Sequence, residues 1–291
     1  MHRVHRFLER LLRPLTRRTR DVPVVAFDAV SGRWLIADAS GTTDRDELTV
    51  TTFNIWNDAS FAAERYRAIV ELVSKRGPDL MVFQEVTPDA LGILLADPWV
   101  REHCFCAAVT DNAVGDYGML LLSRVPLGGV VYTRLPSVMS RGFLQTEVDI
   151  AGTRTVVCSL HLDSGKARDR LRGRQLHKVF DALRTVDDAI VLGDFNMRDA
   201  ENYRIVAPFV DVWPALRPHE PGYTEDTSIN LMRYDSRGKR RQVRFDRVLL
   251  KGPTWAAVSI DLLGTEPLSD ELSRVFPSDH FGVQCRLVRR R

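Results

Sequence analysis

Apolar residues recur along this chain with two different periods, and the changes of period mark its elements. Short alternating or continuous apolar runs at 48–54, 79–85, 104–109, 118–124, 129–134, 142–150, 154–161 and 189–193 predict strands. Three more follow at 245–250, 255–260 and 281–288. Helical spacing appears over 61–75, where it stops at Gly77-Pro78, and again over 88–95. A third helix is predicted over 167–184, with Leu176, Val179, Phe180 and Leu183 on its inner face. Many strands with few helices predict two packed sheets with helices outside them. One domain, residues 48–291, accommodates them all, with no internal repeat.

Upstream, the pattern changes twice. Residues 21–47 read as an accessory hairpin and linker: Val22–Phe27, a turn at Ser31-Gly32, Arg33–Ala37, then a polar stretch from Gly41 to Glu47. Residues 1–20 hold seven Arg and one acid, with Val4, Phe7, Leu8, Leu11, Leu12 and Leu15 at helical spacing. This basic amphipathic leader could tether the protein to an acidic surface, a membrane or nucleic acid, or act as a targeting peptide. A solvated tail or a helix packed on the body fits equally. No secretory signal pattern is present.

Charge and composition narrow the function. The net charge is +3, but without residues 1–20 the body has 34 basic and 37 acidic residues. Nucleic-acid binding by the body would therefore need local basic surfaces. Two exist: six basic residues against Asp169 over 166–178, and seven against two acids over 233–247. With 44% hydrophobic and 27% charged residues, the chain has an ordinary globular composition. No apolar run approaches the ~20 residues of a membrane span. The four cysteines form no C-x-x-C and read as buried free thiols in a reducing compartment. A cytoplasmic monomer is expected, with a nuclear or organellar location possible in a eukaryote.

The candidate chemistry sits where buried strands end. Glu85 closes the run Leu80–Phe83 and is a hard oxygen ligand of the kind Mg²⁺ prefers. Asp194 and Asn196 follow the run at 189–193 two positions apart, on one side of an extended segment, and could position and deprotonate water. His161 and His280 could meet phosphoryl oxygens. Asp246 interrupts an apolar strand and needs a partner, either His280 or a neighbouring Arg244 or Arg247. No nucleophile elbow, phosphate loop or zinc spacing is present, so hydrolysis by activated water is expected.

Four ordered motifs, Thr52-Phe53-Asn54-Ile55, Phe83-Gln84-Glu85-Val86, Gly193-Asp194-Phe195-Asn196 and Ser278-Asp279-His280, resemble the endonuclease/exonuclease/phosphatase superfamily. The segments 159–164, 193–199, 221–227, 244–247 and 276–282 are further similar to type-2 tyrosyl-DNA phosphodiesterases. The resemblance implies a four-layer α/β/β/α sandwich, and cleavage between tyrosine and the 5′ phosphate of DNA. It implies Glu85 as the Mg²⁺ ligand (Mn²⁺ also suits oxygen donors), with Asp279 supporting the metal or substrate shell. Asn54 would sit beside metal and phosphate, Asp194 would activate water, and Asn196 would position it. His161 and Ser164 would bind phosphate, His280 would stabilise its developing charge, and Asp246 would orient His280.

The expected function is thus a Mg²⁺-dependent phosphodiesterase acting on 5′-blocked DNA ends in DNA repair. A general nuclease, a lipid or nucleotide phosphatase of the same superfamily, and a non-catalytic binding protein on the same fold are the alternatives. Two positions depart from the pattern: Trp56 replaces an acid, and Glu225 replaces an aromatic residue and is expected to repel phosphates.

Overall fold

The computed structural model describes residues 18–110 and 114–290. The expected leader lies outside the described residues as far as residue 17. Its last residues belong to strand β1 (Thr19–Val22), which is followed by β2 (Val25–Asp28), β3 (Arg33–Ile36) and β4 (Thr42–Thr43). The long strand β5 (Glu47–Asn54) leads to helix α1 (Ala62–Arg76), which ends at Gly77 in a left-handed cap whose N–H donates to Val73 O. Next come β6 (Leu80–Val86), α2 (Pro88–Ala96) and α3 (Pro98–His103). Thr87 caps α2 by accepting the Ala90 N–H, and Pro88 supplies its first helical residue.

The middle of the chain gives β7 (Phe105–Val109), β8 (Gly118–Ser123), β9 (Val130–Arg134), β10 (Gly142–Ile150) and β11 (Thr153–His161). Helix α4 (Asp169–Ala182) and strand β12 (Asp188–Asp194) follow. Short pieces come next: β13 (Val210–Asp211), α5 (Val212–Leu216), β14 (Glu225–Asp226), α6 (Leu231–Arg237) and β15 (Gln242–Val243). The chain closes with β16 (Asp246–Lys251), β17 (Trp255–Leu263) and β18 (Gly282–Arg289).

Two eight-stranded mixed sheets result. The first runs β1-β9-β10-β11-β12-β16-β13, with β4 beside β10; the second runs β17-β18-β5-β6-β8-β7-β2-β3. The hairpin β2–β3 forms one edge of the second sheet, and β1 one edge of the first.

Alternation along the strands explains the layers. Leu80 and Val82 of β6 face Ile190 and Leu192 of β12 in one core between the sheets. Met81 and Phe83, on the other side of β6, pack with Ile69 and Val73 of α1 and Leu91 and Leu94 of α2. On the outer face of the first sheet, Val191 of β12 packs with Leu176 and Val179 of α4. Helices cover both outer faces, so the fold is the four-layer α/β/β/α sandwich. All four cysteines are free and buried. Among the described residues no helix is long and apolar enough to cross a membrane.

Candidate active site

The alternation that fills the core also aims the polar residues. Asp194 has the parity of the inward-facing Ile190 and Leu192, and Asp246 that of Val248. His161 has the parity of Val157. In the sheet, His161 pairs with Asp194, and Asp194 pairs with Asp246, so the three form one row across β11, β12 and β16. Asn54 ends β5 of the opposite sheet and closes on this row.

Asp194 is the hub. Its Oδ2 accepts from Asn196 Nδ2 at 2.9 Å and Asn54 Nδ2 at 3.0 Å, and lies 3.3 Å from His161 Nε2. Its Oδ1 accepts the Asn196 N–H at 2.8 Å. Burial works to raise the Asp194 pKa, but the His161 ring beside it and the charge of His280 hold it well below the usual carboxylate range. Gly193 makes this strand end possible. Its φ is +146°, and a Cβ there would lie 2.0 Å from Leu160 O.

His280 Nδ1 lies 2.7 Å from Asp246 Oδ2. Burial opposes a charge on His280, yet the carboxylates of Asp246, Asp279 and Asp194 raise its pKa well above the ordinary value. Burial raises the pKa of Asp246 as well, so the two form a short buried pair that shares a proton between Nδ1 and Oδ2. Arg244 and Arg247, the alternative partners of Asp246, turn instead to Asp211, at 2.9 and 2.7 Å. Thr224 fixes this strand start, its Oγ1 accepting the N–H groups of Phe245 and Asp246 at 3.0 and 3.1 Å.

Glu85 reaches the site by a backbone irregularity. Alternation alone would give it the helix-facing side of Met81 and Phe83. The register slips between Gln84 and Val86, and Glu85 takes a left-handed φ of 61°. Its Oε1 then accepts from Asn54 Nδ2 at 3.3 Å and its Oε2 from the Asn57 N–H at 3.2 Å. Trp56 and Asn196 are also left-handed, at φ 56° and 52°. Such backbone costs about 1–3 kcal/mol per residue and persists where the surroundings over-determine it.

Several residues that shape the site were missed by sequence reasoning. Arg65 is fully buried and donates to the carbonyls of Ile55, Trp56 and Ser60, holding the loop after Asn54. Arg141 Nη1 lies 3.0 Å from His161 Nδ1. Burial and the Arg141 charge both lower the His161 pKa. His161 is thus neutral, accepting from Arg141 at Nδ1 and carrying its proton on Nε2, which lies 3.3 Å from Asp194 Oδ2 without a hydrogen bond. Asp163 is fully buried and accepts from Ser137 Oγ, whose oxygen in turn accepts the Arg141 N–H at 3.0 Å. Asp163 therefore shapes the loop that carries Arg141.

Asp279 is buried, and its Oδ2 lies 3.3 Å from Arg233 Nη1. Burial raises its pKa to about 6. Ser278 anchors this loop by donating to Asn54 O at 2.6 Å. Ser164 is not drawn into the hydrogen-bonded centre; its hydroxyl faces Met139 Sδ at 3.4 Å. Glu225, expected to repel phosphates, has its charge countered within the protein. It is buried, and Arg233 and Arg241 neutralise it at 3.0 and 3.1 Å. Of the basic residues over 233–247, Arg244 and Arg247 are buried and paired to Asp211, which leaves fewer to face phosphates. Trp56 is buried with Met232, Phe276 and Phe281, under the Arg65 guanidinium.

The donor set suits a hard divalent cation. Ligand atoms of Asp194, Asp246 and His280 lie within 4.8 Å of one another. Asp246 Oδ1 is buried without a hydrogen-bond partner. Glu85 stands across Asn54 from Asp194. Carboxylates, an amide and an imidazole thus converge on one place between the sheets.

Comparison with known proteins agrees. Residues 51–280 match the model of the Endonuclease/Exonuclease/phosphatase family. Tyrosyl-DNA phosphodiesterase 2 of Rattus norvegicus is 30% identical over 277 residues, covering 89% of this chain and 72% of that protein. The same enzyme of Xenopus laevis is 29% identical, over 88% and 71%. A crystal structure of D. rerio TDP2 complexed with single strand DNA product superposes with a TM-score of 0.74 at 25% identity, covering 84% of this chain and 99% of that one. An endonuclease/exonuclease/phosphatase from Beutenbergia cavernae shares the fold, with a TM-score of 0.61 and 21% identity over 84% and 72%. With the motif-bearing strand ends all inside the matched span, this chain belongs to the endonuclease/exonuclease/phosphatase family.

Proposed function

We infer that this protein hydrolyses a phosphodiester with a divalent metal and an activated water, and that its substrate is DNA blocked by tyrosine at a 5′ phosphate. The observation that carries this reading is the row His161–Asp194–Asp246 facing Asn54, with His280 hydrogen-bonded to Asp246 beside it.

Glu85 would hold Mg²⁺ or Mn²⁺, supported by Asp279. The ion would supply Lewis-acid stabilisation of phosphoryl charge. The trio Asp194, Asp246 and His280 suits Mg²⁺ less, because it includes a nitrogen donor where Mg²⁺ prefers oxygen, and His280 Nδ1 is already engaged with Asp246. Asp194 accepts a hydrogen bond from the attacking water, and Asn196 fixes that carboxylate from two sides. His280 donates from Nε2 to a non-bridging oxygen, while Asp246 holds its ring and charge. Asn54 and the Nε2–H of His161 add neutral donors, and Ser164 binds phosphate from the rim. A phenol, with a pKa near 10, departs as an anion more readily than a sugar alkoxide. The similarity to tyrosyl-DNA phosphodiesterase 2 supports this substrate.

The test is a panel comprising a 5′-phosphotyrosyl oligonucleotide, the unmodified strand, a phosphoinositide and a nucleotide phosphodiester, each with Mg²⁺ and with chelator. Tyrosine release leaving a 5′ phosphate, abolished by chelator, is expected. Faster turnover of any other member would overturn the substrate assignment.

A further inference from the structure

Among the described buried arginines, Arg141, Arg233 and Arg247 each keep one guanidinium nitrogen without a hydrogen-bond partner; in Arg141 and Arg247 it is Nε, in Arg233 the terminal Nη1. Every guanidinium nitrogen of Arg172 has a partner: Nε and Nη2 meet Glu201 at 2.9 and 2.6 Å, and Nη1 meets the carbonyls of Asp163 and Gly165 at 3.0 and 2.8 Å. Arg233 is buried too, at 7% exposure, and its Nε donates to Glu225 Oε1 at 3.0 Å. Its Nη1 lies 3.3 Å from Asp279 Oδ2 as an ion pair, yet has no hydrogen-bond partner.

The side chain is nonetheless fixed. The Arg233 N–H donates to Asn230 Oδ1 at 3.0 Å, and Asn230 Nδ2 donates to Ser278 O at 2.8 Å, tying α6 to the loop that carries His280. Glu225 is held from its other oxygen by Arg241 at 3.1 Å. Burial works against the charge, but Asp279, Glu225 and Glu85 keep Arg233 protonated. A guanidinium anchored by a buried carboxylate, with one donor open among the site's acids, is built to meet an anionic oxygen.

We propose that Arg233 binds the 5′ phosphate of the nucleic-acid strand, with Glu225 as the residue that positions it. This deepens the functional reading above and rests on it. Glu225, in place of the aromatic residue of the similar phosphodiesterases, then exchanges stacking for an anchored cation. Phosphate arriving at Nη1 takes the donor that Asp279 only approaches.

The test is metal-free binding, in chelator, of a fluorescent single strand carrying either a 5′ phosphate or a 5′ hydroxyl. The wild-type protein should prefer the phosphate by about tenfold or more, the range of a charge-assisted hydrogen bond. Arg233→Gln should reduce that preference to less than about twofold, Arg233→Lys should keep part of it, and Glu225→Gln should reduce it less than Arg233→Gln. An unchanged preference in Arg233→Gln, or none in the wild type, overturns the proposal. Should Arg233→Gln fail to fold by circular dichroism, the same ratio is read on Arg233→Lys, where a drop supports the proposal and no change overturns it. A wild-type protein that keeps the phosphate preference but cannot cleave a 5′-phosphotyrosyl strand sinks the functional reading and leaves the Arg233 assignment standing.

Discussion

The two sheets bring different kinds of carboxylate to the same cleft. Asp194, from the first sheet, sits in strand register with donors from two side chains and one backbone N–H, and with His161 Nε2 at 3.3 Å. Glu85, from the second, sits on a register slip with a left-handed φ and remains half-buried. The first arrangement fixes an anion that stays charged throughout the physiological range. The second leaves a carboxylate reachable from the cleft. Under the proposed function, water alignment falls to the closed carboxylate and ion binding to the open one.

The largest expected effect tests that division. Asp194→Asn and Glu85→Ala should each lower kcat by about 10³-fold or more, the scale of losing a central electrostatic group. They should differ in their Mg²⁺ dependence. Glu85→Ala should raise the Mg²⁺ needed for half-maximal rate by about tenfold, whereas Asp194→Asn should leave it within about twofold. Equal shifts in a metal titration would erase the distinction between the sheets.

The next effect concerns charge held beside Asp194. The His280 imidazolium is present below its pKa, which the neighbouring carboxylates raise. Activity that depends on it should persist through neutral pH and fall on the alkaline side. Asp246→Asn should cost about 10²-fold in rate and move that alkaline limb down toward ~6.5, the unperturbed histidine value. The linked stability runs the same way: it is fully present below the unfolded pKa and lost as pH rises through the folded one. A pH–rate profile with no shift would detach Asp246 from His280.

Much of this site was legible in the sequence, because its residues follow apolar runs that could only be strands. Asn54, Asp194 and Asp246 sit at strand ends, and the alternation aims them inward. The supporting arginines were not legible, since burial of a charge depends on partners distant in sequence. Arg172 meets Glu201, 29 positions away, and Arg65 reaches Pro277 O, 212 away. A signal existed, however. Arg65 shares a helical face with Ile69 and Val73, and Arg172 shares one with Leu176 and Val179, so each charge lay on an apolar stripe. Glu225 was read as a charge that repels phosphates without sight of its neutralising partners, because Arg233 and Arg241 come from the next helix and strand connection. The bulge at Glu85 has no sequence signature, because no glycine marks it.

Two smaller effects sharpen the picture on the first-sheet side. Arg172→Met strands the buried Glu201 and should cost about 3–5 kcal/mol of stability in urea unfolding, while kcat of the folded fraction stays within about threefold, because Arg172 supports the loop rather than the reaction. Arg141→Gln should raise the His161 pKa, because it removes one of the two influences that lower it. Titration of the His161 ring signals by NMR reads this directly, and an unmoved midpoint would break the assigned tautomer.

The central claim is that water, aligned by Asp194, attacks the phosphorus of a 5′-phosphotyrosyl strand. Single-turnover cleavage in ¹⁸O-labelled water, analysed by mass spectrometry of both products, tests it most directly. One ¹⁸O in the 5′ phosphate and none in the released tyrosine is the predicted result. Label in the tyrosine phenol, or no cleavage with Mg²⁺ present, would contradict it.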